Sequence, residues 1–265
     1  MSINILYHDV TAAGDEDASG FSGGEAAHYK LSVEHFAQHL KALERSTQTP
    51  PLASASAITP GIAAVNAWTI TFDDGGASSA TVIADQLERH GWRGWFFIPT
   101  DYIGRSTFCN IEDIRRLHRR GHVVGSHTCS HPERFSSCTW EQMLEEWTRS
   151  CRILAQIVGE PVTVASVPGG FYSLQVARAA SAANVRLLFN SEPTTAVRNV
   201  DDCLVVGRYS VVRGMGPMDA EALINSPHSR LRQAVSWNTK KAAKTLAGPF
   251  YKAIRTAILR RSHLF

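Results

Sequence analysis

The sequence predicts an α/β protein whose parallel strands form a barrel, open or closed. Short apolar runs alternate with amphipathic helical patterns, which is typical of a parallel sheet covered by helices. Six or seven such strand–helix units favour a barrel over a doubly wound sheet. The unusual polar residues fall just past the predicted strands, where barrels of this kind carry their chemistry.

The predicted elements follow one another through residue 189. The β-like apolar runs predict strands over 3–8, 67–72, 95–99, 122–126, 162–167 and 185–189. Amphipathic patterns predict helices over 32–45, 77–90, 110–121, 139–159 and 173–184. Ser32 has the position of an N-cap, and Gly121 has that of a C-terminal stop. Residues 11–24 form too long a connection to be a simple turn, and we expect them on the rim of a site.

Charge divides the chain into two parts. From Ala222 onward there are nine basic residues and no acidic ones, although the net charge of the whole chain is only +3. We therefore predict a barrel over residues 1–235 and a basic amphipathic helical tail over residues 236–265. In the tail, Phe250, Ile254, Ala257 and Ile258 would form an apolar stripe beside basic side chains. The sequence leaves two roles open for the tail. It could dock on the barrel, or its residues 239–261 could contact an anionic membrane surface.

Composition narrows the class of protein further. The five cysteines have no CxxC spacing, which favours free thiols in a reducing compartment. No apolar run approaches the roughly 20 residues of a membrane span, and the first residues lack the features of a secretory signal. The basic patches match no nucleic-acid module, so no nucleic-acid partner is expected. We predict a cytoplasmic protein, with peripheral contact at the inner face of the membrane as an extension.

Four groups of polar or turn residues follow predicted strands. They are His8-Asp9, Asp73-Asp74, Ser126-His127 and Pro168-Gly169-Gly170. Because parallel strands end at the same edge of a sheet, these groups are expected to form a single site.

The sequence GSHTCSHP places His127 and His131 four residues apart. If a helical turn follows the strand, both imidazoles face the same way and can bind one metal ion. With one carboxylate of the FDDGG segment, the two imidazoles would form the set of three protein ligands that catalytic metals use. The second carboxylate could accept a proton from water. The alternative is that the histidines are exposed or capping residues and that FDDGG is a turn with a helix N-cap.

The segments TFDDG and SHTCSH together resemble the first two motifs of the polysaccharide deacetylases, the NodB-homology proteins of carbohydrate esterase family 4. ILYHDV and VPGGFYS resemble further segments of that family, and the likeness extends over roughly residues 3–190. The resemblance implies a distorted (β/α) barrel that removes acetyl groups from N-acetylated sugars with a divalent metal. It implies Zn²⁺ first, with Co²⁺, Mn²⁺ or Ni²⁺ as alternatives. By motif, Asp73 would be the general base, and Asp74, His127 and His131 would be the metal ligands.

The sequence departs from the family pattern at several places. Ser166 stands where the family has an arginine that orients the base, and Gly169 stands where it has an aromatic residue. The turn Pro168-Gly169-Gly170 would still line the substrate, with the Gly169 N–H donating to the oxyanion. No late motif supplies the catalytic acid, so we assign His8 to that role, with a structural histidine as the alternative and His228 as a weaker candidate. Cys129 is expected to point away from the metal.

The predicted function is metal-dependent removal of an N-acetyl group from a sugar or glycan, which would be lipid-linked if the tail binds membranes. Such a reaction fits cell-envelope or exopolysaccharide assembly. Two alternatives stay open. One is hydrolysis of another C–N bond, in a formamide or a cyclic amide. The other is a catalytically impaired glycan-binding protein, because the expected arginine and acid are missing.

Overall fold

A computed structural model of the chain describes residues 2–47, 49–54, 58 and 67–247, with the backbone alone for residues 240–247. The strands are β1 (Ile3–Tyr7), β2 (Val10–Thr11), β3 (Leu31–Ser32), β4 (Trp68–Phe72), β5 (Trp95–Ile98), β6 (Val123–Ser126), β7 (Val164–Ser166), β8 (Leu187–Phe189), β9 (Val197–Val200), β10 (Cys203–Val206) and β11 (Tyr209–Ser210). The helices are α1 (Gly24–Ala27), α2 (Val33–Ser46), α3 (Ala84–Arg89), α4 (Ile111–Arg119), α5 (Trp140–Val158), α6 (Leu174–Ala182), α7 (Pro217–Asn225) and α8 (Pro227–Ala247).

Nine of these strands form one curled sheet in the order β11-β1-β4-β5-β6-β7-β8-β10-β9. All neighbouring pairs are parallel except β9 with β10, which is antiparallel. Within the described residues β11 and β9 are the two edges of the sheet, so the barrel is open. The predicted α/β class and distorted barrel are confirmed.

The local predictions agree with the structure where the sequence pattern is strong. All six predicted strands are present as β1 and β4 to β8, and the five predicted helices are present as α2 to α6. Ser32 caps α2 by accepting a hydrogen bond from the His35 N–H. The helix predicted over 77–90 begins with a π-helical turn at Ser79–Ile83 before α3. No elements were predicted for β9 to β11 or α7, and His228 lies in the first turn of α8.

The strands are apolar along their length because both faces of the sheet are buried. On β5, Phe96 and Ile98 pack in the larger core between the sheet and the helices. Trp95 and Phe97 alternate with them and pack in a second cluster inside the barrel, with Phe189. A continuous apolar run is the expected pattern for such strands.

Two features bear on the predicted tail. Helix α8 runs without interruption across residues 235 and 236, and the proposed division at that position stays a prediction. The apolar stripe from Phe250 to Ile258 lies outside the described residues. In the part of the chain that the structure describes, no helix is long and apolar enough to cross a membrane.

Candidate metal centre and active site

The two aspartates follow β4 and diverge because the chain leaves the extended conformation between them. The Asp73 N–H donates to the Tyr7 carbonyl, which continues the pairing of β1 with β4. Asp74 and Gly75 then take left-handed backbone conformations, with φ of 73° and 61°. Asp73 therefore points into the barrel on the same side as Thr71, since both accept hydrogen bonds from the buried guanidinium of Arg208. Asp74 turns the other way, toward His127 at the end of β6. The chain therefore bends sharply between the two carboxylates.

Asp74, His127 and His131 form a cluster whose donor atoms all lie within 4.8 Å of one another. Asp74 Oδ1 is 3.4 Å from His127 Nε2 and 3.5 Å from His131 Nε2. Burial would raise the pKa of Asp74, but the hydrogen bonds of the two histidines hold it well below its usual range. One carboxylate oxygen and two imidazole nitrogens fit a divalent cation such as Zn²⁺, with room for further ligands.

The orientation of His127 fits a role as ligand. Its Nδ1–H donates a hydrogen bond to the Ser166 carbonyl at 2.9 Å. The other ring nitrogen, Nε2, therefore faces Asp74. A hydrogen bond of this kind commonly orients metal-binding histidines. Burial alone would lower the pKa of His127, but the carboxylates of Asp73 and Asp74 raise it above its usual value.

The two histidines converge by a different route from the one predicted. No helical turn follows β6, so that part of the prediction is wrong. Instead, Thr128 and His131 adopt left-handed conformations with φ of 65° and 53°, and the loop folds back on itself. The His127 and His131 ring centroids are 5.0 Å apart.

Asp73 is held by Arg208, a residue that sequence reasoning missed. The Arg208 guanidinium is fully buried and donates to both carboxylate oxygens of Asp73 at 2.7 Å. It also donates to the Ser166 hydroxyl at 2.7 Å, and that hydroxyl donates to Asp73 at 3.1 Å. Ser166 thus leaves room for an arginine that arrives from the connection between β10 and β11. The only local signal was a charged residue inside the apolar run VVGRYS.

The charge of Arg208 determines the protonation of Asp73. Burial pushes the pKa of Asp73 upward, but Arg208, and after it His127, bring the pKa below its usual range. Asp73 is consequently a carboxylate, which is the form that the predicted role of general base requires. Its Oδ2 lies 3.9 Å from His127 Nε2, so it adjoins the cluster.

His8 lies at the same edge of the sheet, just after β1. It lies close enough to Asp73 and Asp74 to contribute to the lowered pKa of both carboxyl groups. The ring packs against Tyr29 with centroids 4.8 Å apart, and its buried Nδ1 has no hydrogen-bond partner among the described residues. His228, by contrast, is exposed near the start of α8 and is absent from the cluster.

Asp9, the neighbour of His8, is buried and joins the loop after β1 to two other segments of the chain. Its Oδ1 accepts hydrogen bonds from the hydroxyls of Ser19 and Ser78 at 2.6 and 2.8 Å. A Cβ atom on Gly20 or Gly76 would come within 2.0 Å of this carboxylate. The second glycine after the two aspartates is thus needed to seat Asp9, and burial raises the pKa of Asp9.

Residues 11–24 do reach the rim of the site, as predicted. The Phe21 ring packs on His131 with centroids 4.7 Å apart. Buried Lys30 holds this segment by donating to the carbonyls of Glu16, Ser19 and Phe21. These bonds anchor the part of the segment that carries Phe21.

The turn Pro168–Gly170 follows β7, with φ of 59° at Gly169 and 70° at Gly170. A Cβ atom on Gly170 would lie 3.1 Å from the Trp237 ring, so α8 packs on this turn. Whether the Gly169 N–H binds an oxyanion stays a prediction.

Cys129 lies outside the ligand cluster, as expected. Burial raises the pKa of its thiol, and the five cysteines are all free.

Comparison with known proteins agrees with this geometry. Residues 63–188 match the family model described as polysaccharide deacetylase. The chain is 25% identical over 225 residues to YxkH of Bacillus subtilis, a protein named after the same family, and the match covers 84% of this chain and 75% of that protein. It is 38% identical over 73 residues to PgdA of Listeria monocytogenes, a peptidoglycan-N-acetylglucosamine deacetylase, covering 27% of this chain and 15% of PgdA.

Two solved structures have the same fold. The polysaccharide deacetylase BC0361 of Bacillus cereus superposes with a TM-score of 0.70 at 16% identity, covering 84% of this chain and 68% of that one. The deacetylase PplD of Streptococcus pyogenes, solved with acetate, superposes with a TM-score of 0.68 at 15% identity, covering 82% and 94%.

Proposed function

We propose that the chain is a metal-dependent hydrolase that removes the N-acetyl group from an N-acetylated sugar or glycan, because residues 63–188 match the polysaccharide deacetylase family model. The observation that carries the proposal is the convergence of Asp74, His127 and His131 beside a carboxylate that is held ionised. Relatives named for peptidoglycan N-acetylglucosamine and for chitin support a glycan of this kind as the substrate.

Asp74, His127 and His131 would hold the divalent cation, with Zn²⁺ as the first choice and Co²⁺, Mn²⁺ or Ni²⁺ as alternatives. When bound, the cation would polarise the acetyl carbonyl and lower the pKa of a water molecule. Asp73 would accept the proton of the attacking water at its carboxylate. Arg208 and Ser166 keep that carboxylate ionised and fixed in orientation.

Two further groups would complete the hydrolysis. The Gly169 N–H, in the turn with Pro168 and Gly170, would donate to the oxygen that becomes negative as water adds to the carbonyl. His8 would donate a proton to the nitrogen of the leaving amine, which departs from acetate as the C–N bond breaks. Its place next to both aspartates favours this assignment over exposed His228.

The test combines metal content with product release. We expect the purified protein to contain a divalent metal by elemental analysis, and to release acetate from N-acetylated oligosaccharides. Asp74→Ala and His127→Ala should lose both. His8→Ala should keep the metal and lower kcat, whereas His228→Ala, the matched control, should leave both unchanged. Full activity of Asp74→Ala without bound metal would contradict the proposal.

Two other functions were left open by the sequence. Hydrolysis of a formamide or cyclic amide would use the same residues, and including N-formyl sugars and cyclic amides in the same panel separates it. A catalytically impaired glycan-binding protein was suggested by the missing arginine and the missing acid. Arg208 binds Asp73 as the missing arginine would, so the first of these two observations is weakened, and the kcat of His8→Ala tests the second.

For location, we propose a cytoplasmic protein that contacts the inner face of the membrane through residues 239–261 and acts in envelope or exopolysaccharide assembly on a lipid-linked glycan. Exposed Leu231 and Val235, one turn apart on α8, support an apolar contact just before this segment. Deletion of residues 239–265 should then abolish binding to vesicles containing anionic lipid. Unchanged binding would contradict the membrane proposal and leave the deacetylase proposal intact.

A further inference from the structure

The loop that carries the two histidine ligands has an unfavourable backbone. Thr128 and His131 are both left-handed, and a β-branched residue rarely adopts that conformation. Such residues persist only where the surrounding contacts impose them, and they commonly occur at functional sites. The contacts that impose this conformation therefore also determine where the imidazoles of His127 and His131 lie.

One side of this loop is held by backbone hydrogen bonds from the adjoining chain. The Thr100 N–H donates to the Thr128 carbonyl at 3.1 Å, and the Asp101 N–H donates to the Cys129 carbonyl at 3.0 Å. These bonds engage only the carbonyls. The N–H groups of Cys129 and Ser130, on the other side of the loop, need a separate acceptor.

Glu146 supplies that acceptor from the middle of α5. Its Oε2 accepts the Cys129 N–H at 2.7 Å and the Ser130 N–H at 2.9 Å. Its Oε1 accepts the Ser130 hydroxyl at 2.6 Å. A single carboxylate thus binds three donors in the loop between the two ligands, and hydrogen bonds to a charged acceptor are the strong ones.

Helix α5 is a rigid support for this carboxylate. It is closed by a capping box at Thr139 and by left-handed Gly159. Trp147, next to Glu146, is buried and packs on Phe135 at a centroid distance of 5.0 Å. The position of Glu146 is therefore set by the core, and the loop adapts to the carboxylate.

We propose that Glu146 is a positioning residue for the metal centre: its carboxylate holds the loop in the conformation that brings His127 and His131 to Asp74. This inference rests on the proposed metal-dependent function and deepens it. Glu146 touches neither the ligand atoms nor the substrate in this proposal, and it acts through the backbone of residues 129 and 130.

The test is a Co²⁺ titration of the full chain, followed by visible absorption, which reports the affinity and the ligand geometry together. Glu146→Gln preserves the shape of the side chain but removes its charge and turns an N–H group toward the loop donors. We expect Co²⁺ affinity to fall by roughly 10- to 100-fold, as for other residues that orient metal ligands, and the absorption spectrum to change. Glu145→Gln, on the exposed neighbouring residue, is the matched control and should change neither.

Ser130→Ala removes only the hydroxyl donor and should weaken Co²⁺ binding by a smaller factor, which keeps the proposal testable if Glu146→Gln folds poorly. If both variants fold and bind Co²⁺ with wild-type affinity and spectrum, the proposal is wrong, even if their Tm falls. If the wild-type protein itself does not bind Co²⁺, the metal centre is wrong, and the two failures are thereby distinguished.

Discussion

Replacement of Arg208 by methionine tests the account of how Asp73 is kept ionised. Methionine approximates the length of the apolar stem and removes the guanidinium, so that Asp73 loses its two hydrogen bonds at 2.7 Å and its counter-charge. Arg208 is fully buried and Asp73 is only 4% exposed, so bulk solvent compensates little for the lost partner. Removing one partner of a buried ion pair typically costs about 3–5 kcal/mol of folding free energy.

In a domain of this size such a loss lowers Tm by roughly 6–20 °C. Urea denaturation of the metal-free protein, in the presence of a chelator, measures the free energy of unfolding without a contribution from bound metal. The catalytic effect is measured separately on the metal-loaded protein. A base displaced by about 1 Å can cost roughly 10²-fold in rate, and we expect kcat/KM to fall at least that far.

The double variant Asp73→Asn/Arg208→Met distinguishes an ion pair from simple packing. If the charge of Asp73 is what makes the loss of Arg208 costly, adding Asp73→Asn to Arg208→Met should recover part of the lost stability. Equal free energies of unfolding for Arg208→Met and the double variant would refute the reasoning. The single variant Asp73→Asn, together with the wild-type protein, completes the double-mutant cycle.

Three other predictions concern the surroundings of the site. Ser166→Ala removes a buried acceptor of Arg208 and should lower the free energy of unfolding by about 1–3 kcal/mol in urea denaturation. Gly170→Ala forces a left-handed alanine against Trp237 and should cost about 1–2 kcal/mol, part of which Trp237→Ala should restore; no loss in Gly170→Ala would contradict the packing. Burial lowers the pKa of His39 to about 4, so this side chain stays neutral in the folded protein while it takes up a proton near pH 6.5 when unfolded. The stability that neutral His39 contributes is present above pH 6.5 and is lost as the pH falls toward 4, and the decline measured by urea denaturation should be smaller in His39→Gln.

The sequence was sufficient for the fold class and for placing the candidate ligands at one edge of the sheet, because both depend on local patterns. Apolar runs alternating with amphipathic helices determine a parallel sheet, and parallel strands end at one edge. Asp73 and Asp74 are adjacent, His127 and His131 are four residues apart, and each pair directly follows a strand. Strand order brings the two pairs to the same edge of the sheet, but the left-handed loop after β6 then sets how the two imidazoles face Asp74.

The tertiary structure decided what holds these residues. Arg208 binds Asp73 across 135 positions of sequence. Trp237 packs near Gly170 from α8, a helix that no sequence pattern had placed beside the site. Glu146 binds a loop whose left-handed residues are not glycines. A buried ion pair or a strained loop depends on which distant groups the fold brings within hydrogen-bond reach. Strand and helix periodicity carry no information on that, because periodicity reports which face of an element is buried and not which residue lies opposite.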